Sequence, residues 1–433
     1  MESAQNVIDT PAINPSLDQA SWAVIKDEFP IFRHDAAEHP DKKLVYLDSA
    51  ASTQKPQSVI TAISDFYQHY YANIHRGVYR YSQQASDAVE SSRDAVRQLI
   101  NAPDLHNIIF TRGTTEGINL LAATLPYSGL LKSGDRVVIT ELEHHANIVP
   151  WQIMRDRHKI DLAVAPIDLD PNSANCGGLN LDELAKLLRP PTRLLAITQS
   201  ANATGASVPL AEIIALAHER GIMVAVDGAQ AVAHQAVNVQ ALDCDFYLFS
   251  GHKIYGPTGV GVLYGRGEYL AALPPYQSGG DMIERVTFEK TTFQPPPQRF
   301  EAGTPDIAAI IGIKAAIEFM QRVGLARINA HEHELVGAAL AKLSALRDVQ
   351  IMQAGQKRDS AVAFTLGNIH PHDLGTILDD DNIAIRAGHH CAQPLLRRMG
   401  VVATARASFG IYNNLDDVDR LVASLRRAQK MWG

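Results

Sequence analysis

Cysteine is scarce in this sequence: Cys176, Cys244 and Cys391 are the only three among 433 residues. Three thiols without a CxxC pair cannot build a disulfide framework or a cysteine-rich zinc site, so a reducing compartment and no structural metal are expected. No run of about 18 apolar residues occurs, which argues against a membrane-spanning helix. Residues 1–15 also lack the cationic and apolar blocks of a secretory leader, and a cytoplasmic protein with no membrane partner is expected. Positive charge is in deficit, with 39 Lys and Arg against 47 Asp and Glu and a formal charge of -8. Without a basic block there is no electrostatic footprint for nucleic acid. Internal repeats, a GxGxxG dinucleotide fingerprint and a P-loop Gly-Lys-Ser/Thr are absent too.

A hydrophobic fraction of 46% and a charged fraction of 20% describe a globular chain, and its length exceeds what one core usually organises. Short β-branched runs at 107–111, 136–140, 162–166, 193–198, 223–226, 246–249 and 261–264 alternate with helical patterns such as 114–125, 181–188 and 210–220. That alternation predicts an α/β fold with a mostly parallel sheet covered on both faces. Ligands of such sheets bind beyond the carboxyl ends of the strands. A Pro/Gly-rich break at 295–305 precedes a long helical pattern, 307–323. Shorter elements follow at 349–352, 361–366, 372–378, 383–385 and 405–409, then a terminal amphipathic helix, 415–430. A large domain over 36–311 and a smaller α+β domain over 312–433, joined by the arm 1–35, is the expected division. The Asn- and Gly-rich insert 170–180 reads as a surface loop.

Five runs carry chemistry. In Phe110-Thr111-Arg112-Gly113-Thr114-Thr115-Glu116-Gly117, unpaired amides of a first helical turn and the hydroxyls of Thr114 and Thr115 can hold a phosphate. Simple helix capping accounts for the same residues equally well. Asp227 ends the apolar run Val224-Ala225-Val226, where a carboxylate needs a cation such as a protonated pyridine nitrogen, or else caps the next helix. Lys253, in Ser250-Gly251-His252-Lys253-Ile254-Tyr255-Gly256-Pro257, is by itself an ordinary surface lysine. One strand after Asp227, it points instead to an aldehyde cofactor bound as an imine.

Glu143-His144-His145-Ala146-Asn147 offers a flat imidazole to stack on a cofactor ring. We assign His144 that place, although the residues alone do not separate it from His145. Arg386-Ala387-Gly388-His389-His390-Cys391-Ala392-Gln393-Pro394 sets a thiol among groups that favour a thiolate, whereas Cys244 lies between Asp243 and Asp245, which oppose one. Consecutive His, His and Cys do not match zinc-ligand spacing, and no metal is expected.

Together these runs resemble the group II cysteine desulfurases of the SufS/CsdA type, in the class-V aminotransferase family of pyridoxal-phosphate enzymes. The resemblance spans 29–432 and is carried also by Leu47-Asp48-Ser49-Ala50-Ala51, Asn73-Ile74-His75-Arg76-Gly77 and the segment from Arg299 to Pro305. The compact segment around Cys391 is what looks like the second group, since the first has a longer catalytic loop. The resemblance implies a fold-type I architecture with a seven-stranded sheet, pyridoxal 5'-phosphate as cofactor and a homodimer. It implies that Lys253 carries the cofactor, Asp227 pairs with its ring nitrogen, Gln230 meets its phenolic oxygen and His144 stacks over it. Thr115, Ser250 and His252 would bind the phosphate, and Thr304 would reach the phosphate site of the other subunit. Arg406 would clamp the substrate carboxylate with help from Asn202, while Arg386 and His75 stand in the active site.

The activity implied is conversion of L-cysteine to L-alanine. Sulfur would pass to Cys391 as a persulfide, then to a small SufE- or SufU-type acceptor protein for iron–sulfur cluster assembly. Selenocysteine lyase activity is the implied side reaction. A kynureninase-like or C–S lyase reaction, or a non-catalytic scaffold, is the alternative.

Overall fold

The computed structural model describes residues 19–432. At its centre lies a seven-stranded sheet: β1 (Ile108–Thr111), β2 (Arg136–Thr140), β3 (Asp161–Ala165), β4 (Thr192–Thr198), β5 (Met223–Asp227), β6 (Phe246–Ser250) and β7 (Gly261–Gly265). The spatial order is β1-β7-β6-β5-β4-β2-β3, with β7 antiparallel to both neighbours and all other pairings parallel. Both faces are covered, and alternate residues serve them. Leu195, Ile197, Val224 and Val226 enter one apolar cluster, while Leu194, Ala196, Met223 and Ala225 enter the other.

Three long helices belong to this layer: α1 (Arg80–Leu99), α2 (Thr114–Ser128) and α3 (Ile307–Val323). Asp306 caps α3 by accepting the Ala309 amide at 3.0 Å. Shorter helices at Val149–His158, Leu181–Leu187 and Leu210–His218 complete the crossovers. The helical patterns named from the sequence include neither α1 nor Val149–His158.

A second sheet, wholly antiparallel, orders β8 (Val349–Ile351), β9 (Ala361–Leu366), β11 (Thr404–Ser408) and β10 (Arg386–Gly388) in that sequence across its width. With α4 (Leu325–Ser344) and α5 (Leu415–Trp432) it encloses its own apolar core. Val45 and Leu47 add to that core, because Val45–Tyr46 pairs in parallel with Ile383–Ala384.

The first eighteen residues of the arm lie outside the described residues. Helices Gln19–Asp27 and Pro30–Glu38 follow, and between them Phe29 is fully buried. Its ring meets Tyr412 at 5.0 Å and Phe319 of α3 at 5.5 Å, so the arm packs where the two sheets' layers meet. The insert at 170–180 is a series of turns, tied to the smaller layer by the bond from Gly355 N–H to the Cys176 carbonyl. No helix among the described residues is long and apolar enough to cross a membrane.

Candidate active site

The carboxyl ends of β4, β5 and β6, the start of α2 and the edge of the second sheet converge on one cavity of about 230 Å³. Thr114, Thr115, His144, Asn202, Asp227, Gln230, Ser250, His252, Lys253, Arg386, Cys391 and Arg406 all line it.

Lys253 ends a single tight turn after β6, Gly251–Lys253. Desolvation pushes its amine down to about 8, with Asp227 pulling the other way and Arg406 adding to the depression. The peptide carbonyl just before it, that of His252, is held by the Thr53 amide and hydroxyl, each at 3.1 Å, and by the Lys55 ammonium at 3.0 Å. Asp227 closes β5 on the strand beside β6, and the Asp227 carboxylate accepts the Ala229 amide at 3.0 Å. Burial raises its pKa, although Lys253 lowers it.

At the head of α2, Gly113 takes φ +148°, and β7 passes so close that a Cβ on Gly261 would stand 2.4 Å from the Gly113 Cα. The Thr114 amide and hydroxyl both meet the Ser250 hydroxyl, at 2.9 and 2.8 Å. A helix N-terminus and three hydroxyls, those of Thr114, Thr115 and Ser250, thus share one corner of the cavity, suited to a phosphate. His252, beside them, is pushed down to about 4 by burial, Lys253 and Lys55, and stands neutral.

His144 also falls to about 4, through burial and then the charge of Lys253. Its Nδ1 accepts the Ala146 amide at 3.0 Å, which leaves the proton of the neutral ring on Nε2. Gln230 donates to the Ala50 carbonyl at 2.8 Å. On the far wall, Arg406 is 1% exposed and donates to the Asn202 carbonyl at 2.7 Å and to Asp48 at 3.1 Å. Its Nε and the Asn202 Oδ1 are buried without a protein partner. Arg386 grips the same Asp48 through Nε and Nη2, at 3.1 and 3.0 Å.

Cys391 is exposed, whereas Cys244 is buried and its thiol is pushed up to about 12 by desolvation and Asp245. Cys176 is half-buried in the insert, away from the cavity. Beside Cys391, His390 is buried, bonds Thr404 through Nε2 at 2.8 Å, and falls to about 3 through burial and the nearby arginines.

His75 and Thr304 are both exposed and do not line this cavity. Sequence reasoning gave no task to Asp48, Glu143 or His390. Glu143, 0% exposed, accepts from Thr140, Asn147 and the Thr198 amide, and burial lifts it to about 8. Its only signal was an acidic residue beside a strand end. Asp48 was visible within a quoted run, but its arginine partners lie 338 and 358 residues away.

An amine that loses its proton near neutral pH, a buried carboxylate, a phosphate corner, two guanidiniums and a free thiol therefore face one cavity. The family model for aminotransferase class-V matches residues 45–421. A cysteine desulfurase of Cronobacter sakazakii is 48% identical over 410 residues, covering 94% of this chain and 98% of that protein. Among solved structures, the cysteine desulfurase CsdA from Escherichia coli superposes with a TM-score of 0.86 at 38% identity, covering 95% of this chain and 98% of that one. A cysteine desulfurase from Thermococcus onnurineus gives 0.85 at 36%, covering 93% and 98%. Matched along nearly its whole described length, the chain belongs to the aminotransferase class-V family and, within it, to the group II cysteine desulfurases.

Proposed function

We propose that this chain is a cytoplasmic, homodimeric, pyridoxal-phosphate-dependent cysteine desulfurase that moves sulfur from L-cysteine to Cys391 and releases L-alanine. A small SufE- or SufU-type protein then takes the sulfur toward iron–sulfur cluster assembly. The observation that carries the reading is that an exposed thiol, Cys391, lines the same cavity as Lys253 and Asp227.

The residues fit pyridoxal phosphate. Lys253 supplies the amine, Asp227 a carboxylate for the ring nitrogen, Gln230 an amide for the phenolic oxygen, and His144 a flat face. Thr114, Thr115, Ser250 and His252 surround the phosphate corner, and exposed Thr304 is available to the phosphate of a second copy. When bound, the cofactor acts as an electron sink that acidifies the substrate Cα–H and loosens the neighbouring C–S bond.

The chain's own groups do the rest. Arg406, whose Nε is buried without a protein partner, binds the substrate carboxylate, and Asn202 assists by holding the guanidinium through its carbonyl. Lys253, freed as a neutral amine, removes the Cα proton, and His144 keeps Nε2–H for proton exchange. Cys391, as thiolate, attacks the substrate sulfur. An S–S bond forms, the C–S bond breaks, and the electron pair stays on carbon, which gains a proton to become alanine. Selenocysteine fits the same groups, and its weaker carbon–selenium bond makes Cys391 dispensable for that side reaction.

Mass spectrometry of the holoenzyme after L-cysteine addition tests the reading. One added sulfur on Cys391 with matching alanine is expected, and the Cys391→Ser variant should form neither. Sulfide release with no protein-bound sulfur would favour a C–S lyase instead.

A further inference from the structure

Cys391 stands on a turn that most side chains avoid. His390 and Cys391 both hold positive φ, 53° and 54°, a conformation that non-glycine residues leave unless their surroundings fix it. Three bonds from the large domain hold this turn. Asn202 Nδ2 donates to the His390 carbonyl at 2.5 Å. The His145 N–H donates to the Cys391 carbonyl at 2.8 Å, and the Gln393 N–H donates to His145 Nε2 at 3.1 Å.

Two of the three belong to His145, which reaches the cysteine's own carbonyl and the amide two residues beyond it. Its backbone and ring therefore hold the chain at Cys391 and just beyond it. His144 lines the cavity and His145 does not. Adjacent residues of one turn thus face two different tasks, one toward the reacting groups and one toward the loop. Because Nε2 accepts, the neutral ring carries its proton on Nδ1. Burial and the charge of His389 hold the imidazole below its ordinary pKa, which keeps that lone pair available.

We infer that His145 is a positioning residue that latches the Cys391 loop to the turn carrying His144, and so fixes where the thiol meets the substrate sulfur. The inference rests on Cys391 being the sulfur acceptor. Substitution of the ring leaves the main-chain bond to Cys391 in place and removes the bond from Gln393, along with a tilted ring contact to His144 at 6.3 Å. A glutamine at this position can offer a carbonyl oxygen near the place of Nε2, whereas a leucine cannot.

The test uses holoenzyme of the parent, His145→Leu and His145→Gln, each first shown by melting and cofactor absorbance to be folded and loaded. Hydrogen exchange over residues 389–395, iodoacetamide alkylation of Cys391 and single-turnover persulfide formation are then measured. Loss of one such bond predicts that His145→Leu exchanges and alkylates about fivefold to tenfold faster and forms persulfide slower by a similar factor. The spectral change on binding cysteine should be unaltered, and His145→Gln should stay near the parent.

Leucine and parent indistinguishable in exchange and alkylation would overturn the latch. So would a glutamine variant as impaired as the leucine one. If Cys391 of the parent never gains sulfur, the desulfurase reading fails, while exchange and alkylation still judge the latch independently.

Discussion

Burial lowers the Lys253 amine to about 8 from an ordinary 10.5, and Asp227 limits the fall. Below that value the side chain is an ammonium and cannot condense with an aldehyde; above it the free amine can. Recovery of cofactor absorbance by cofactor-stripped protein should therefore accelerate as pH rises through about 8 and level off beyond it. A rate flat between pH 7 and about 9 would contradict a buried, titrating lysine. Lys253 and Asp227 were legible because each follows an apolar strand and the two strands are neighbours. The choice between His144 and His145 was not, since both follow the same strand and only the backbone of the turn decides which ring enters the cavity. Asp48 stayed without a task for a different reason: its meaning depends on partners brought from the far end of the chain.

Among the elements, β7 and the turn before α2 are held so closely that neither backbone can yield. A Cβ at Gly261 would meet the Gly113 Cα at 2.4 Å and the Phe249 carbonyl at 2.7 Å, both main-chain atoms. Gly261→Ala should cost about 1–3 kcal/mol, read as a lower urea midpoint, and weaken cofactor affinity by displacing the phosphate corner. Gly267→Ala, whose nearest neighbour would be Asn107 at 3.7 Å, is the control and should stay within about 0.5 kcal/mol. The strands were legible from β-branched runs because a covered sheet needs apolar residues on both faces. Helices α1 and α4 were not. Helix α1 does carry a stripe, Ala85, Val89, Val96 and Leu99, but it is narrow and set in a chiefly polar run, whereas the buried face of α4 includes His331 and Glu332, polar residues that interrupt the period.

Across the whole molecule, a buried polar chain joins the two layers. His234 Nδ1 meets Glu332 of α4 at 2.6 Å, and its Nε2 meets Ser360, which precedes β9, at 2.8 Å. Burial opposes protonation of His234, but Glu332 and, behind it, Asp359 together outweigh burial and hold the pKa above the ordinary 6.5. A raised histidine pKa contributes stability that is complete below the ordinary value and is lost as pH rises through the raised one. The melting temperature should accordingly fall on the alkaline side, and His234→Gln should flatten that slope even though it melts lower overall. The same joining of distant segments has a consequence at the wall of the cavity. Two guanidiniums, Arg386 and Arg406, share the single carboxylate of Asp48, so the wall holds one positive charge in surplus. It counts charges as well as recognising shapes: one incoming carboxylate brings the wall to neutrality. L-cysteine methyl ester leaves it unbalanced, and its KM should exceed that of L-cysteine by about tenfold or more, whereas Asp48→Asn should make the wall more cationic and draw dicarboxylates in as competitive inhibitors.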